Sequence, residues 1–381
     1  MAMPSKMILL YGVPMFVGGC SILWMFWDRL KKPPKKKIFI SADCWLYVFD
    51  LLPAYQLGLG IALISHRFDF YVDEHFKTRK WALKSMEILP NIFWNYAKEM
   101  KIVNYDDETL PIPQKPLPKK VVGFEAISIK YIDQNAIAFL HRFRPLFASN
   151  CPINLAIDTT SDRILDLIFR NIWPMFGKNI HCLELSSGSF HHLRQFAPSI
   201  LNKCPLLRIV TFYAIADLFT EFPADDSAAA SDGQTLAKWL FTPLQSNVPK
   251  MLVCPFDTDG GIFASNLEDL KATFANASSP VNFIVVIWFR PPCYGNSVVP
   301  FDLTNELTRE QLTLKRIVEY TNLFLLIRCP IVRNVSKWAK WEEEVICWHL
   351  RDLWNQIDIR INENGIGDGI LDATPGPSDQ Q

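Results

Sequence analysis

The strongest constraint on the fold of this chain is a strand-helix unit that repeats from Val121 onward. Each unit opens with a short apolar run, passes through a turn and continues as a segment whose apolar residues recur at helical spacing. The opening runs of the first units are Ala126–Lys130, Ile153–Ile157, Cys182–Leu185 and Leu207–Phe212. Further strands are predicted at Met251–Phe256, Phe283–Phe289 and Leu323–Arg328, with helices at Thr235–Phe241, Asn266–Phe274 and Thr308–Gln311. Because short strands alternate with helices, the sequence predicts an α/β or α+β architecture for residues 121–336.

The turns that lead into two of these strands carry a more specific pattern. Asn202, Cys204, Pro205 and Leu207 follow the spacing Asn-x-Cys-Pro-x-Leu, and residues 150–155 repeat part of it. This junction resembles the turn of cysteine-containing leucine-rich repeats, in which a buried Cys or Asn satisfies backbone groups as the chain enters the inner strand. The strand spacing, roughly 20 to 29 residues, is also that of such a repeat. The resemblance implies a strand-helix solenoid, and a conventional βαβ sheet without curvature is the alternative.

A solenoid would present its binding surface on the strands. Side chains alternate between the two faces of a strand, so the apolar positions would form the core and the positions between them would line a concave surface. The predicted core set is Ile127, Ile129, Leu155, Leu183, Leu185 and Val210. The residues predicted to bind a target are Ser128, Lys130, Asn154, Glu184 and Thr211. If helices instead cover both faces of the strands, we expect recognition at the loops Ala214–Asp232 and Pro291–Asn296.

Ahead of the repeats, Ile38 to Trp81 contains three short amphipathic segments. The first, Ser41–Leu52, has a wide apolar face, a serine that can cap its start and a proline, Pro53, that ends it. The second carries Leu57, Ile61 and Ile64, and the third follows Ser65 with Phe68, Val72 and Phe76. Three helices in about forty residues bury too little apolar surface to be stable alone. We therefore expect this region to bind a partner.

The order of residues along this region resembles the F-box. The matching positions are Ile40, Asp43, Val48, Phe49, Leu52, Pro53, Leu57, Ile64, Ser65, Arg67, Phe68 and Trp81, and Ser41 stands where the family has a proline. Pro280–Ile284 and Leu312–Leu314 are similar to the C-terminal region of F-box proteins of plant-parasitic nematodes, so the resemblance extends from about Lys37 almost to the C-terminus. An F-box implies docking of a Skp-type adaptor. The residues implied to bind it are Ile40, Trp45, Val48, Phe49, Leu52, Pro53, Leu57 and Ile64.

The resemblance implies a non-catalytic substrate receptor of a cullin-type (SCF) ubiquitin ligase, which reaches the cullin through the adaptor and binds a protein target. The alternative is a membrane-tethered interaction scaffold whose degenerate F-box packs within its own protein. The sequence contains no nucleophile elbow and no phosphate-binding glycine loop, and its nine cysteines never form a C-x-x-C pair, so we expect no enzyme, cofactor or metal site. A net charge of zero does not favour nucleic acid as a partner.

The remaining segments complete the predicted domain organisation. Residues 38–101 would hold the F-box and a helix at Asn91–Lys101, and residues 102–120 would form a stiff proline-rich linker. After the repeats at 121–336, a helix at Lys337–Trp354 with an aromatic stripe and a strand ending at residue 361 would cap the sheet, and 362–381 would be a tail.

The N-terminal residues 1–37 predict a membrane anchor. Met7–Trp27 is an uncharged apolar stretch, and a span of about 20 such residues can cross a bilayer core. Several Arg and Lys residues follow it between Arg29 and Lys37, whereas only Lys6 precedes it, and positive flanks remain in the cytosol. We therefore predict an anchored protein whose bulk is cytoplasmic. A cleaved signal peptide within Met7–Cys20, which would make the protein secreted, and a tail outside the membrane are the alternatives.

Fractionation of cells that express the full-length protein tests the anchor. We expect the protein to remain in membranes washed with alkaline carbonate, because a spanning segment of about 20 apolar residues is held by the hydrophobic effect rather than by surface charge. The large domain should be digested by protease added to the cytoplasmic side. A chain that lacks residues 1–37 is the control and should be released. A mature N-terminus near Ser21, or full-length protein in the carbonate supernatant, would contradict the prediction.

Overall fold

The structure, a computed structural model, describes residues 40–52, 57, 61–78, 81–83, 85–91, 99–104, 109–110, 121–148, 152–159, 161–196, 200–212, 219–245, 247–256, 261–289, 298–318, 322–347 and 355–367. The described residues fall into two compact units. The first holds those up to Ala82 and those from Ile102 to Val122, and the second holds those from Leu83 to Lys101 and from Gly123 onward. The protein is mixed α/β, and a large, mostly parallel sheet dominates the second unit.

The first unit contains helix α1, Ala42–Asp50, a 3₁₀ turn at Ala62–Ile64 and helix α2, His66–Thr78. The predicted caps are confirmed, because the hydroxyl oxygen of Ser41 accepts from the backbone N of Cys44 and that of Ser65 from the backbone N of Phe68, each at 3.4 Å. Of the second predicted helix, the described residues are Leu57 and Ile61, which are π-helical, and the 3₁₀ turn. Residues 53–56 and 58–60 lie outside the described ranges.

The strands are, in chain order, β1 Trp81–Leu83, β2 Met86–Asn91, β3 Glu99–Asn104, β4 Thr109–Leu110, β5 Val121–Phe124, β6 Ala126–Ile129, β7 Ile153–Ile157, β8 Ile180–Leu185, β9 Ile209–Phe212, β10 Lys250–Phe256, β11 Phe283–Phe289, β12 Phe301–Asn305, β13 Glu310–Arg316, β14 Leu323–Pro330 and β15 Gln356–Ile359. The later helices are α3 Gln134–Ala148, α4 Asp162–Leu167, α5 Trp173–Phe176, α6 Ser187–Phe196, α7 Asp232–Phe241, α8 Gly261–Ala275 and α9 Val335–Ile346, with a π-helical segment, Ile168–Ile172, between α4 and α5. Every strand that the sequence predicts between residues 126 and 328 is therefore present.

The predicted helix Thr308–Gln311 is wrong, and the predicted helix Asn91–Lys101 is strand at both of its described ends, with residues 92–98 outside the described ranges. The described part of Asn91–Lys101 belongs to strands β2 and β3. The segment Thr308–Gln311 is the end of a turn and the start of β13, which pairs antiparallel with β12. Asn305 stabilises that turn, since its Oδ1 accepts from the backbone N of Leu307 at 2.9 Å. A helical pattern of about one turn, as in Thr308–Gln311, carries little free energy, so pairing with a neighbouring strand overrides it.

In the second unit eleven strands form one sheet, in the order β12-β13-β14-β11-β10-β9-β8-β7-β15-β6-β2. Neighbours from β2 to β11 are parallel, and β14, β13 and β12 extend the sheet with antiparallel pairs. Strands β6 to β11 follow one another in chain order, except that β15 lies between β6 and β7. The prediction that this last strand caps the sheet is therefore wrong. A four-residue strand carries no sequence signal for its partner, which the folded sheet selects.

Asn355 fixes the entry of the chain into β15. Its backbone is left-handed, with φ of 56°. Its backbone N donates to the carbonyl O of Phe124 at 2.9 Å, its side-chain Oδ1 accepts from the N of Phe124 at 3.1 Å, and its carbonyl O accepts from the N of Asn154 at 3.1 Å. One residue therefore bridges the end of β5 and the start of β7.

The two faces of the sheet are covered by different helices. On one face the predicted core residues, such as Ile127, Leu155 and Leu183, are buried. Helices connecting the parallel strands pack there, as shown by the ring of Phe190 in α6, which lies 5.7 Å from that of Phe212. Across the other face lies α9, whose Trp338 and Val345 are buried against strands β8 to β14.

In the aromatic stripe of α9, Trp338 and Val345 are core, as predicted, and Trp341 is partly buried against them. The helix lies across a face of the sheet rather than capping an end. The helix ends at Ile346, and residues 348–354 of the predicted range lie outside the described residues. Among the described residues, none of the helices combines the length and the apolarity that crossing a bilayer requires. Met7–Trp27 and most of the predicted proline linker also lie outside the described ranges.

Replacing Asn355 with alanine tests the insertion of β15. The buried N–H of Phe124 would lose its acceptor, and alanine tolerates a left-handed backbone less well than asparagine does, so we expect the free energy of unfolding to fall by about 2 kcal/mol. Asn355→Gly should recover only the backbone part of that loss. Asn276→Ala removes an exposed amide just after α8 that donates back to the carbonyl O of Ala272, and should change the free energy by less than about 0.5 kcal/mol. Urea titration gives all three values, and an Asn355→Ala variant as stable as the parent would contradict this role.

Candidate functional site

The first unit exposes several large apolar side chains although it has a closed core. They are Ile40, Tyr47, Val48, Leu51, Leu63, Ile64 and Phe70, with exposed fractions between 39% for Val48 and 78% for Leu63. Arg67 links the N-terminal end of this set to α2, because its Nη2 donates to the carbonyl O of Ile40 at 3.3 Å. Apolar side chains concentrated on so small a unit are typical of an interaction surface. We call these seven residues the apolar surface.

Three of the residues implied to bind an adaptor, Ile40, Val48 and Ile64, belong to the apolar surface. The assignment of Phe49 and Leu57 to a binding surface is wrong, because both are 0% exposed and form the core of the unit together with Val72. Their role is to hold the helices together.

Trp45 and Leu52 pack against the same core and are half-buried. The ring of Trp45 meets that of Phe68 edge to face, with the centroids 4.7 Å apart. Pro53 lies outside the described residues. The sequence could not separate core from surface here, because α1 has apolar residues around most of its circumference and periodicity alone gives it no unique inward side.

The second unit carries a polar row across the face of the sheet that α9 partly covers. The strand register aligns Glu87 of β2, Ser128 of β6, Asp358 of β15, Ala156 of β7, Glu184 of β8 and Thr211 of β9. The same row continues as Val253, Val286 and Leu325 on β10, β11 and β14. Asn154 and Gln356 face each other in the neighbouring row. The face is therefore divided into a polar half and an apolar half.

Helix α9 lies on the apolar half. Its Trp338 packs in one cluster with Met251, Ile284 and Ile327. On the polar half, Ser128, Lys130, Asn154 and Glu184 are half-buried and share the predicted face. Thr211 also lies on this face but is only 5% exposed, so its prediction as a binding residue is wrong. It stands where the polar half meets the apolar half, and its neighbour in the register is Val253.

The charges of the polar half are only partly compensated. Lys130 Nζ lies 3.0 Å from a carboxylate oxygen of Glu87, and Arg360 Nε donates to Asp358 at 3.0 Å. Burial raises the pKa of Glu184 from 4.5 to about 7, with the carboxylates of Asp358 and Asp158 adding to the shift and Arg360 opposing it. Burial likewise raises the pKa of Asp358. Among the described residues, the polar half thus carries three carboxylates, Glu87, Asp358 and Glu184, and two cations, Lys130 and Arg360.

Sequence reasoning missed Glu87, Asp358 and Arg360 as parts of this face. A signal for the last two was present, because Gln356–Arg360 alternates polar and apolar residues as a half-buried strand does. The alternation could not reveal that β15 lies beside β6. The loop Ala214–Asp232, the alternative recognition site, is described only from Phe219, and Pro291–Asn296 lies outside the described residues.

Chemically, the polar half offers carboxylates, an amide and hydroxyls for contacts with a partner. Among the described residues, no group of His, Cys, Asp or Glu side chains is arranged to hold a metal ion. Comparison with protein-family models, with curated proteins and with solved structures gives no match for this chain.

Glu184→Gln tests the electrostatics of the polar half. The pKa of Glu184 is higher in the folded than in the unfolded chain, so the folded protein binds more protons between pH 4.5 and about 7. The free energy of unfolding therefore falls as the pH rises through that window. The variant should therefore be more stable than the parent at pH 8, by about 1–2 kcal/mol, with the difference shrinking towards pH 5. Urea unfolding at the two pH values measures it. The control Glu268→Gln changes an exposed carboxylate and should show no such pH dependence, and an equal gain at both pH values would argue against a buried, titrating Glu184.

Proposed function

We propose that this protein is a non-catalytic substrate receptor of a cullin-type ubiquitin ligase. The first unit would dock a Skp-type adaptor as an F-box does, and the second unit would bind the target. The observation that carries the proposal is the apolar surface, which stands on a small helical unit whose own core, around Phe49, is already closed. Such side chains lower their free energy only when a partner buries them.

Several local features of the first unit support the F-box resemblance, although Phe49 and Leu57 lie in its core and not on an adaptor-facing surface. Ser41 and Ser65 cap the first and last helices, and Phe68 and Val72 face the core. Three of the seven outward side chains, Ile40, Val48 and Ile64, are at positions that the resemblance implies for adaptor contact. Ser41 starts its helix without the proline of the family, so the helix itself does not need that ring.

We further infer that the second unit is a leucine-rich-repeat-like array interrupted by its C-terminal segment. Strands β6 to β11 are parallel and follow in chain order, which supports a repeat. Cys204, at the predicted repeat junction, is 5% exposed, and its thiol donates to the carbonyl O of Ile200 at 3.4 Å. The insertion of β15 and the placement of α9 on the sheet leave the polar half, with Ser128, Asn154 and Glu184, as the surface for a target.

A receptor of this kind accelerates ubiquitin transfer without performing it. Binding the target and the adaptor at once raises the effective concentration of target lysines near the ubiquitin-charged enzyme. The chain then needs two independent binding surfaces and no catalytic residue. The two compact units supply one candidate surface each.

Binding of the full-length protein to a purified Skp-type adaptor tests the proposal directly. Val48→Glu and Ile64→Glu each place a charge on the apolar surface, and because a buried anchor of an interface contributes about 2 kcal/mol or more, each should weaken binding at least tenfold. The dissociation constant can be measured by biolayer interferometry.

Leu307→Glu is the matched control, because Leu307 is 76% exposed but lies in the second unit. It should bind the adaptor as the parent does, and circular dichroism should show that all variants are folded. No binding by the parent chain would reject the receptor and favour the scaffold alternative. Normal binding by both charged variants would show that an adaptor binds the protein, but not at the apolar surface.

A further inference from the structure

A pocket of about 390 Å³ lies where α9 begins, away from the polar half of the sheet. Its walls are mainly apolar and include Leu244, Pro280, Trp338 and Trp341. Its volume falls in the range of small-ligand and side-chain pockets. Two tryptophans and a proline form a rigid wall, which loses little conformational entropy when a ligand binds.

The charged residues that line this pocket are both cations, Arg333 and Lys337. The guanidinium of Arg333 lies 5.1 Å from the ring centre of Trp338, and Nζ of Lys337 lies 5.0 Å from that of Trp341. Arg333 is also 3.8 Å from a carboxylate oxygen of Glu342. That carboxylate is shared, because its second oxygen contacts Nζ of Lys315 at 2.6 Å. The charged side chains that line the pocket are therefore positive, and Glu342 offsets part of the charge of Arg333.

The position of Lys337 supports this. It lies in the first turn of α9, which contains no acidic residue, although the positive end of a helix dipole favours acids there. A lysine at this position raises the local positive potential instead of reducing it. Stacking on Trp341 keeps the ammonium beside the pocket rather than extended into solvent.

An apolar edge continues from the pocket. The loop between Pro330 and α9 exposes Ile331 and Val332, and Val335 opens the helix; their exposed fractions are 43%, 93% and 75%. A ligand that reached from the pocket over this loop would bury apolar surface as well as pairing with a cation. A free inorganic anion could use only the charge.

We propose that this pocket binds a short acidic segment of a partner protein, with an Asp or Glu side chain paired with Lys337 and a neighbouring apolar side chain against Trp341. Charge complementarity selects the acidic residue, and the tryptophan and proline wall selects its apolar neighbour. Under the proposed function this segment belongs to the ubiquitination target. The binding itself involves only the second unit and needs no adaptor, so the two proposals fail independently.

Selection from a display library of random dodecapeptides on the immobilised full-length protein tests the inference. We expect enriched peptides to contain Asp or Glu within a few positions of Trp, Phe, Leu or Pro. One enriched peptide is then synthesised with its acid intact and with Gln in its place, and fluorescence polarisation measures binding of both. The Gln peptide should bind at least tenfold more weakly, and the affinity of the acidic peptide should fall as salt rises.

Lys337→Glu should weaken the acidic peptide at least tenfold. Lys340→Glu makes the same charge change at an exposed position of the same helix that does not line the pocket, and should leave binding within about twofold of the parent. Unchanged thermal unfolding shows that the variants are folded. The proposal would be overturned if the enriched peptides contained no acidic residue, or if the parent enriched no peptide relative to the Lys337→Glu protein. It would also be overturned if both lysine variants lost the same affinity for the acidic peptide.

Discussion

The pairing of β15 with both β6 and β7 is the interaction on which the rest of the sheet depends. Parallel strands that follow one another in sequence are normally joined directly, but here the chain leaves a gap between β6 and β7 that only its C-terminal strand fills. Asn355 bonds to Phe124 on one side and Asn154 on the other. Without β15, strands β2 and β6 would be separated from the remaining strands, and the backbone N–H and C=O groups of β6 and β7 that pair with β15 would lack partners.

That insertion also determines the chemistry of the candidate target surface. Asp358 and Arg360 reach the polar half only because β15 lies between β6 and β7, and the carboxylate of Asp358 contributes to the raised pKa of Glu184. The other half of the face is apolar and is covered by α9. Strands that are covered on both faces need apolar residues throughout, as β11 has, whereas strands open on one face alternate, as β7 does. The residue pattern of each strand therefore determines whether it belongs to the polar or the apolar half of the face.

The two units contribute to binding through different physics. The first unit has apolar side chains that only a partner can bury, which favours a stable interface with its proposed adaptor. The polar half of the second unit and the pocket beside α9 carry charges of opposite sign, an acidic excess around Glu184 and a cationic wall at Lys337. Charged surfaces distinguish between partners more than they add affinity. This division suits a receptor that keeps one adaptor and discriminates among targets.

The sequence by itself determined strands β6 to β11 and β14, the core positions Ile127, Leu155 and Leu183, the caps of the first unit and the shared face of Ser128, Asn154 and Glu184. These follow from local periodicity and from side-chain chemistry near each residue. Only the tertiary structure decided that β15 enters the centre of the sheet, that α9 lies across a face, that Thr211 is buried and that Phe49 and Leu57 form core. The reason is that pairing and burial depend on residues distant in sequence. The backbone of a strand can form the same hydrogen bonds with any neighbouring strand. The local alternation of residues therefore determines which face of the sheet a side chain lies on, but not which residues it contacts.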